Sequence, residues 1–273
     1  MNRSISLSQD NPDDRRTAIL ELLRSGAASQ LDCYKEDLSN CDLKGINLER
    51  AKFLAVLLKN ADLSGANLIN ADLRGVDLSG ANLSGADLTG ANLCRSNLEN
   101  TNLTGANLDQ AKLQVARYNS QTLWPEAFSY KNSGAIGPSA QLSGAFLNTV
   151  NLRQADVQSA NFLGAYLSGT DFTGANLEAA RFSGADLRKA FFTGAYLHKA
   201  RLVNVDLSEA DFRAADFTDA ELENLQSIAG ADFGAAILSD GQRSQLLSRP
   251  NAELDVWNTF TRRSTRDSLK KDC

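Results

Sequence analysis

The side chains that could carry out chemistry are few and are spaced unfavourably for it. The chain of 273 residues has one histidine, His198, whereas a hydrolytic triad or a histidine metal site needs more partners than the sequence supplies. Its four cysteines include no C-x-x-C pair, and we expect reduced thiols at Cys33, Cys41, Cys94 and Cys273. The sequence therefore predicts no enzyme activity, no metal and no cofactor.

Aspartate is abundant, but it falls at one recurring position that asparagine also occupies, as in Asp62, Asn67 and Asp72. A general acid or base needs a carboxyl group, so free exchange with an amide argues against acid–base catalysis. The exchange favours a solvated side chain or one that bonds the backbone at a corner. The sequence also lacks a glycine-rich phosphate loop and calcium-binding G-G-x-G-x-D units.

A five-residue repeat organises most of the chain. Large apolar residues occur at every fifth position from Leu38 to Tyr118, and again, in a new phase, from Leu142 to Leu222. This period fits neither a helix nor a strand. A chain that turns once per unit returns the Leu, and the Ala two residues before it, to one interior. A coil with four such sides would place both residues inside, and its successive turns would stack about 4.8 Å apart.

Units such as ADLSG at residues 61–65 and ADLTG at residues 86–90 resemble the pentapeptide-repeat family, whose pattern is A-[D/N]-L-x-x. The resemblance spans roughly residues 36–240. It implies an all-β fold, a right-handed quadrilateral β-helix (a pentapeptide-repeat solenoid). Residues 20 apart then stack, which places Phe172, Phe192 and Phe212 in one inward column and Phe162 on Phe182 in another.

A solenoid needs its ends covered, and helical signals flank the repeats. Asn11 and Pro12 can start an N-terminal helical cap that Gly26 ends. A short C-terminal helix from about Gly241 to Ser248 would direct Leu246 and Leu247 to the last coil, with an irregular remainder. The expected organisation is residues 1–35 tail and cap, 36–118 first run, 119–139 insert, 140–240 second run, and 241–273 C-terminal cap and tail.

The insert at residues 119–139 is rich in aromatic residues, including Trp124, Phe128 and Tyr130. Ordering such an excursion costs conformational entropy that contacts must offset. These aromatics either pack back on the coils to cover the phase shift, or form a partner-binding loop. Two segments resemble parts of cyanobacterial members of the family. They are Thr122, Trp124 and Pro125 in this insert, and the tail from Thr261 to Arg266.

Outward positions that usually carry Asp or Asn hold aromatic residues at Phe146, Tyr166, Phe191 and Tyr196. Exposed aromatics can form a binding patch, or they can serve as cover for the insert or the tail. Both alternatives fit the sequence.

Charge changes along the second run. A basic band that includes Arg181 and Arg201 precedes an acidic stretch that includes Asp206, Asp211 and Asp216. The bands are either ordinary solubilising charge or an electrostatic footprint for a protein partner.

The resemblance implies a non-enzymatic protein-interaction scaffold with a regulatory role, because several family members act by binding a regulator. The alternative is a DNA mimic that modulates DNA gyrase, which needs a long acidic face that the basic band interrupts. With a net charge of −5 we expect no direct nucleic-acid binding, and the longest apolar run is too short for a membrane span. We expect a cytoplasmic protein, and a monomer in preference to an oligomer.

Overall fold

The computed structural model describes residues 12–26 and 33–270. They fall into two compact units, unit 1 within Met1–Ile136 and unit 2 within Gly137–Cys273. Regular elements are few because each side of a coil contributes only one or two paired residues. They are helix α1 (Pro12–Arg24), a 3-10 helix (Tyr130–Asn132), strands β1 (Arg201–Val203) and β2 (Glu221–Glu223), and helices α2 (Asp240–Leu247), α3 (Asn251–Leu254) and α4 (Thr265–Ser268).

Parallel bridges join residues 20 positions apart, such as Asp42 with Asp62 and Asp62 with Asn82 in unit 1. Each coil therefore has four five-residue sides, as the repeat predicts. The Asp62 amide donates to the Cys41 carbonyl at 2.9 Å, and the Leu63 amide donates to the Asn82 carbonyl at 2.8 Å. The backbone of each coil is thus hydrogen-bonded to the coils before and after it. We call the outward residue of each bridge a ladder residue.

The inward Leu and Ala positions form a narrow buried core in each unit. In unit 2, Phe192 stacks between Phe172 at 5.0 Å and Phe212 at 4.8 Å, and Phe162 stacks on Phe182 at 5.0 Å. The predicted aromatic columns are therefore confirmed. They fill a coil interior that repeats with the same geometry at every level.

The ladder Asp and Asn side chains close the corner that follows them. The Asp62 Oδ1 atom accepts the Ser64 amide at 2.9 Å, and the Asn67 Oδ1 atom accepts the Ile69 amide at 3.1 Å. Both residue types supply the same oxygen. This bond is the physical reason that Asp and Asn alternate at this position.

The second corner residue lies in the left-handed region of the backbone. Asn40 has φ 58° and Gly80 has φ 70°, a conformation that glycine and asparagine adopt most readily. A Cβ at Gly80 would lie 2.2 Å from the Asn60 Oδ1 atom of the neighbouring coil. Glycine at this corner therefore also makes room for a stacked side chain.

Helix α1 covers the first coil of unit 1, with Ile19 and Leu23 buried. Arg15 pairs with Glu36, and Arg16 donates to the Cys41 Sγ atom at 3.0 Å. The helix begins at Pro12, as expected, whereas its proposed N-cap Asn11 lies outside the described residues.

Helix α2 begins after Ser239, which forms a capping box with Gln242. The Gln242 Nε2 atom donates to the Phe217 and Ala220 carbonyls at 2.9 and 2.8 Å, which satisfies backbone groups at the end of the coils. Leu246 is buried, but Leu247 is 39% exposed. The expectation that both leucines face the last coil is therefore wrong for Leu247.

As far as Lys270, the remainder of the tail contains helices α3 and α4, which corrects the expectation of an irregular segment. Trp257 and Ser264 pair as an antiparallel bridge between α3 and α4. The buried Asn258 donates to the carbonyls of Glu209 at 3.1 Å and Gly230 at 2.8 Å. Polar side chains thus hold this segment against the coil backbone. The segment therefore lacks most of the apolar pattern by which a helix or strand is recognised in a sequence.

Across the described part of the chain, none of the helices has both the length and the apolar character needed to cross a bilayer.

Candidate protein-binding surface

Two aromatic side chains form an exposed stack in unit 2. Phe146 and Tyr166 are ladder partners on successive coils, and their rings lie 4.7 Å apart with an interplanar angle of 3°. Phe146 is 78% exposed and Tyr166 is 46% exposed. The register explains the stacking, since residues 20 apart must lie over one another. We call this pair the aromatic stack.

The surroundings of the aromatic stack are uncharged. Residues 141–149 and 161–170 contain no Asp, Glu, Lys, Arg or His. Leu163, at the corner before Tyr166, is 48% exposed, and it replaces the small polar residue that usually follows the inward position. Sequence reading missed Leu163, although a leucine at a corner position was the available signal.

The other two outward aromatics do not extend the stack. Phe191 is partly covered by the tail, where the Phe260 ring contacts it edge-on at 5.4 Å. Tyr196 is exposed, but it lies five residues further on, hence on the next side of the coil. The four aromatics therefore occupy three different sides, and only Phe146 and Tyr166 are brought together.

The aromatic residues of the insert contact one another in unit 1. Trp124 stacks on Tyr130 at 5.2 Å and on Phe128 at 5.6 Å, and Tyr118 meets the Trp124 ring edge-on at 5.5 Å. Leu123 remains a ladder partner of Asn102. Trp124, Phe128 and Tyr130 are half-buried, so each ring gives much of its surface to this cluster.

Several charged side chains of unit 2 form ion pairs between neighbouring coils. Arg201 pairs with Glu221 at 2.8 Å, Arg153 with Asp171 at 3.1 Å, and Lys189 with Glu209 at 3.7 Å. These partners are 18 or 20 residues apart, the separation that places two side chains on neighbouring coils. The basic band and the acidic stretch are therefore interlocked by ion pairs.

The three aspartates of the candidate electrostatic patch, Asp206, Asp211 and Asp216, do not lie side by side. Residues five apart lie on successive sides of a coil, and the bridges place these three in separate ladders. Asp211 is also only 2% exposed, and its carboxylate pairs with Arg213 at 2.7 Å.

Asp206 and Asp216 each accept hydrogen bonds at the corner that follows them in the chain. Asp206 accepts the Ser208 hydroxyl at 2.6 Å, and Asp216 accepts the Thr218 hydroxyl at 2.6 Å and the Thr218 amide at 2.9 Å. The hydroxyl bond from Thr218 is the main cause that holds the pKa of Asp216 below its usual value.

Arg181 differs from the other arginines around the aromatic stack. It is exposed, and within residues 33–270 it forms no ion pair. It is the ladder partner of Asn161 on one coil and of Arg201 on the next. An unpaired cation therefore lies one coil away from the uncharged surface.

Reactive side chains do not form a cluster in the part of the chain that the structure describes. His198 is half-buried, with its Nε2 atom 4.0 Å from an Asp219 carboxylate oxygen. Among residues 12–26 and 33–270, no group of three or more His, Cys, Asp or Glu side chains could hold a metal ion.

A parallel four-sided coil with five-residue sides and an outward ladder of Asp and Asn defines a pentapeptide-repeat solenoid. The family model described as pentapeptide repeats matches this chain in eight copies, over residues 57–93, 81–114, 139–174, 175–213 and 190–224. The matched segments cover more than half of the chain, which therefore belongs to the pentapeptide repeat family. A comparison with curated protein sequences found no match.

Solved structures of the same family are similar to this chain. HetL, a pentapeptide repeat protein involved in heterocyst differentiation regulation in Nostoc sp. strain PCC 7120, is 32% identical over 76% of this chain and 85% of its own, with a TM-score of 0.38. The protein alr5209 from Nostoc PCC 7120 is 37% identical over 44% of this chain and 92% of its own, with a TM-score of 0.38. QnrB1, a plasmid-mediated fluoroquinolone resistance protein, is 20% identical over 77% of this chain and 83% of its own, with a TM-score of 0.28.

Proposed function

We propose that this protein is a non-enzymatic scaffold that binds a protein partner through the coil surface around Phe146 and Tyr166, with the regulatory role that the family resemblance implies. The observation that carries the proposal is the aromatic stack itself. Two large rings are exposed at ladder positions where most other units of the chain place Asp or Asn. Clustered exposed aromatics are typical of the anchoring residues in protein interfaces.

The backbone under the stack favours the same function. The Leu147 amide donates to the Tyr166 carbonyl at 2.8 Å, and the Tyr166 amide donates to the Ala145 carbonyl at 2.9 Å. A partner cannot add a strand to backbone groups that are already bonded. Between these two coils a partner therefore contacts side chains, and the stacking of the two rings reduces the conformational entropy that they lose on binding.

The test is affinity capture with purified full-length protein from a lysate of the organism that encodes it. The double variant Phe146→Asn, Tyr166→Asn returns both ladder positions to the residue type of the repeat, so the coil should still fold. Tyr196→Asn is the matched control, because Tyr196 is an exposed ladder aromatic on a different side.

We expect wild type and Tyr196→Asn to retain a protein that the double variant loses. Direct binding is then confirmed with the purified partner. Equal capture by all three proteins would refute the proposed surface. In that case the partly exposed rings of Trp124, Phe128 and Tyr130, or the tail-covered Phe191, would be the next surfaces to test.

A DNA-mimic action on DNA gyrase is the alternative function, and the arrangement of charge does not favour it. Mimicry needs a continuous row of negative charge, whereas Asp206, Asp211 and Asp216 lie on three sides and Arg201 is paired with Glu221. In a supercoiling assay with purified gyrase we expect no effect of this protein. Inhibition that Asp206→Asn and Asp216→Asn abolish would instead establish the mimic.

We propose that the scaffold acts in the cytoplasm as a monomer. The thiols of Cys41 and Cys94 are free, which suits a reducing compartment. Imaging of a fluorescent fusion and sedimentation of the purified protein test the two statements separately.

A further inference from the structure

We infer that the segment of the partner that docks on the aromatic stack is acidic and apolar: a hydrophobic side chain contacts Phe146, Tyr166 and Leu163, and a carboxylate beside it pairs with Arg181. This inference rests on the proposed function and specifies the chemistry of the partner. It follows from Arg181, the cation beside the stack that forms no ion pair in the described structure.

Arg181 lies close enough to the stack to share one ligand with it. Leu163 and Arg181 are 18 residues apart, a corner residue and the ladder residue of the next coil. The same relation joins Arg153 to Asp171, whose side chains meet at 3.1 Å in the same unit. The register therefore places Arg181 beside Leu163, at the edge of the uncharged surface.

The other charges near the stack are already neutralised. Asp186, the next ladder residue after Tyr166, is bound in two-point fashion by Arg188, with nitrogen–oxygen distances of 2.8 and 2.7 Å. Arg201, the next ladder residue after Arg181, is paired with Glu221 at 2.8 Å. Arg181 is therefore the cation at this edge of the stack that is left without an ion pair among the described residues.

A second copy of this chain fits the surface poorly. In a two-fold dimer the same patch lies on both sides of the interface. Residues 141–149 and 161–170 supply no carboxylate, so an Arg181 in such a dimer would face the uncharged patch or another Arg181. A different protein segment that brings its own acidic residue satisfies both halves of the surface.

A displayed library of random linear peptides, selected on immobilised full-length protein, tests the inference. Four baits are compared: wild type, the double variant Phe146→Asn, Tyr166→Asn, the charge reversal Arg181→Glu, and Arg262→Glu as the matched control. Arg262 is also exposed and forms no ion pair within the described residues, and the same substitution there changes the net charge equally.

We expect peptides selected on wild type to combine large apolar residues with Asp or Glu and to be depleted of Lys and Arg. Their affinity should fall at least tenfold for the double variant. For Arg181→Glu the affinity of these peptides should fall about three- to tenfold at low ionic strength, and this variant should itself select basic peptides. For Arg262→Glu the affinity should stay within twofold of that for wild type.

The possible failures are distinguishable. Peptides that need the aromatic stack but show no preference for acidic residues would overturn the inference and leave the proposed function standing. Peptides that bind the double variant as well as wild type would overturn both, because the stack would then not be the binding surface. Concentration-dependent self-association that the double variant abolishes would replace the acidic partner with a second copy.

Discussion

At the scale of single residues, the ladder Asp and Asn side chains connect the repeat to the fold. Each side-chain oxygen accepts the amide two residues on, as at Asp62 and Asp216, and so closes a corner that the backbone alone would leave with an unpaired donor. Aspartate adds a titratable charge to this bond. At Asp216 the Thr218 hydroxyl group also donates, and it lowers the pKa of this carboxyl group in the folded state.

The first prediction concerns pH and Asp216, whose pKa the Thr218 hydroxyl lowers on folding. A lowered pKa stabilises the fold above the ordinary carboxyl pKa, and this contribution disappears as the pH falls from about 4 through the folded value. Because the carboxylate is partly solvated, we expect Asp216→Asn to lose less than about 1 kcal/mol at pH 7. The difference from wild type should shrink by pH 2.5 in urea unfolding.

Thr218→Val is the control for this prediction, because it removes the hydroxyl donor and keeps the backbone bond. In that background the pH dependence of the Asp216→Asn effect should become smaller, and NMR titration should show a higher pKa for Asp216. An Asp216→Asn effect of equal size at both pH values would contradict the assigned cause.

At the scale of structural elements, the inward columns hold successive coils together. Phe192 is fully buried between Phe172 and Phe212, whereas Leu152 occupies the corresponding position two coils earlier in the same ladder register. The coil interior therefore accepts either side chain, but a stack of rings leaves less empty space than a leucine beside two rings.

The second prediction follows from this column. Phe192→Ala removes a buried ring that the coil backbone cannot close around, and we expect a loss of about 3 to 5 kcal/mol in the free energy of unfolding. Phe192→Leu should cost less, since leucine already occupies this column at Leu152. Urea unfolding followed by circular dichroism measures both. Equal losses for the two variants would show that the ring stack, and not the filled volume, stabilises the column.

At the scale of the whole molecule, surface chemistry is distributed unevenly. Some exposed charge in unit 2 is paired between neighbouring coils, as Arg201 is with Glu221, while the aromatic stack and Leu163 are exposed without a cover in the described structure. The surface of unit 2 thus combines paired charge with a few exposed apolar side chains.

The third prediction separates this surface from the core. Phe146→Asn with Tyr166→Asn should leave the free energy of unfolding within about 0.5 kcal/mol of wild type, because both rings lie outside the coil. Retention on a hydrophobic-interaction column should fall, and Tyr196→Asn should lower it less because its ring stands alone. A large loss of stability in the double variant would mean that the stack belongs to the core.

The repeat established the resemblance to the family, and the fold that this resemblance implies supplied the four-sided coil. The 20-residue register and the aromatic columns then followed from counting. It also predicted that Phe146 lies on Tyr166. The sequence could not show that Phe260 covers Phe191, that Trp124 packs on Tyr130, or that Asn258 docks the tail. These contacts join segments that lie outside the period, so only the folded chain decides them. Counting also places acids that are five residues apart on successive sides of a coil, but it does not show which charges form ion pairs. Which cations stay unpaired, as Arg181 does, depends on what lies 18 or 20 residues away in the folded chain.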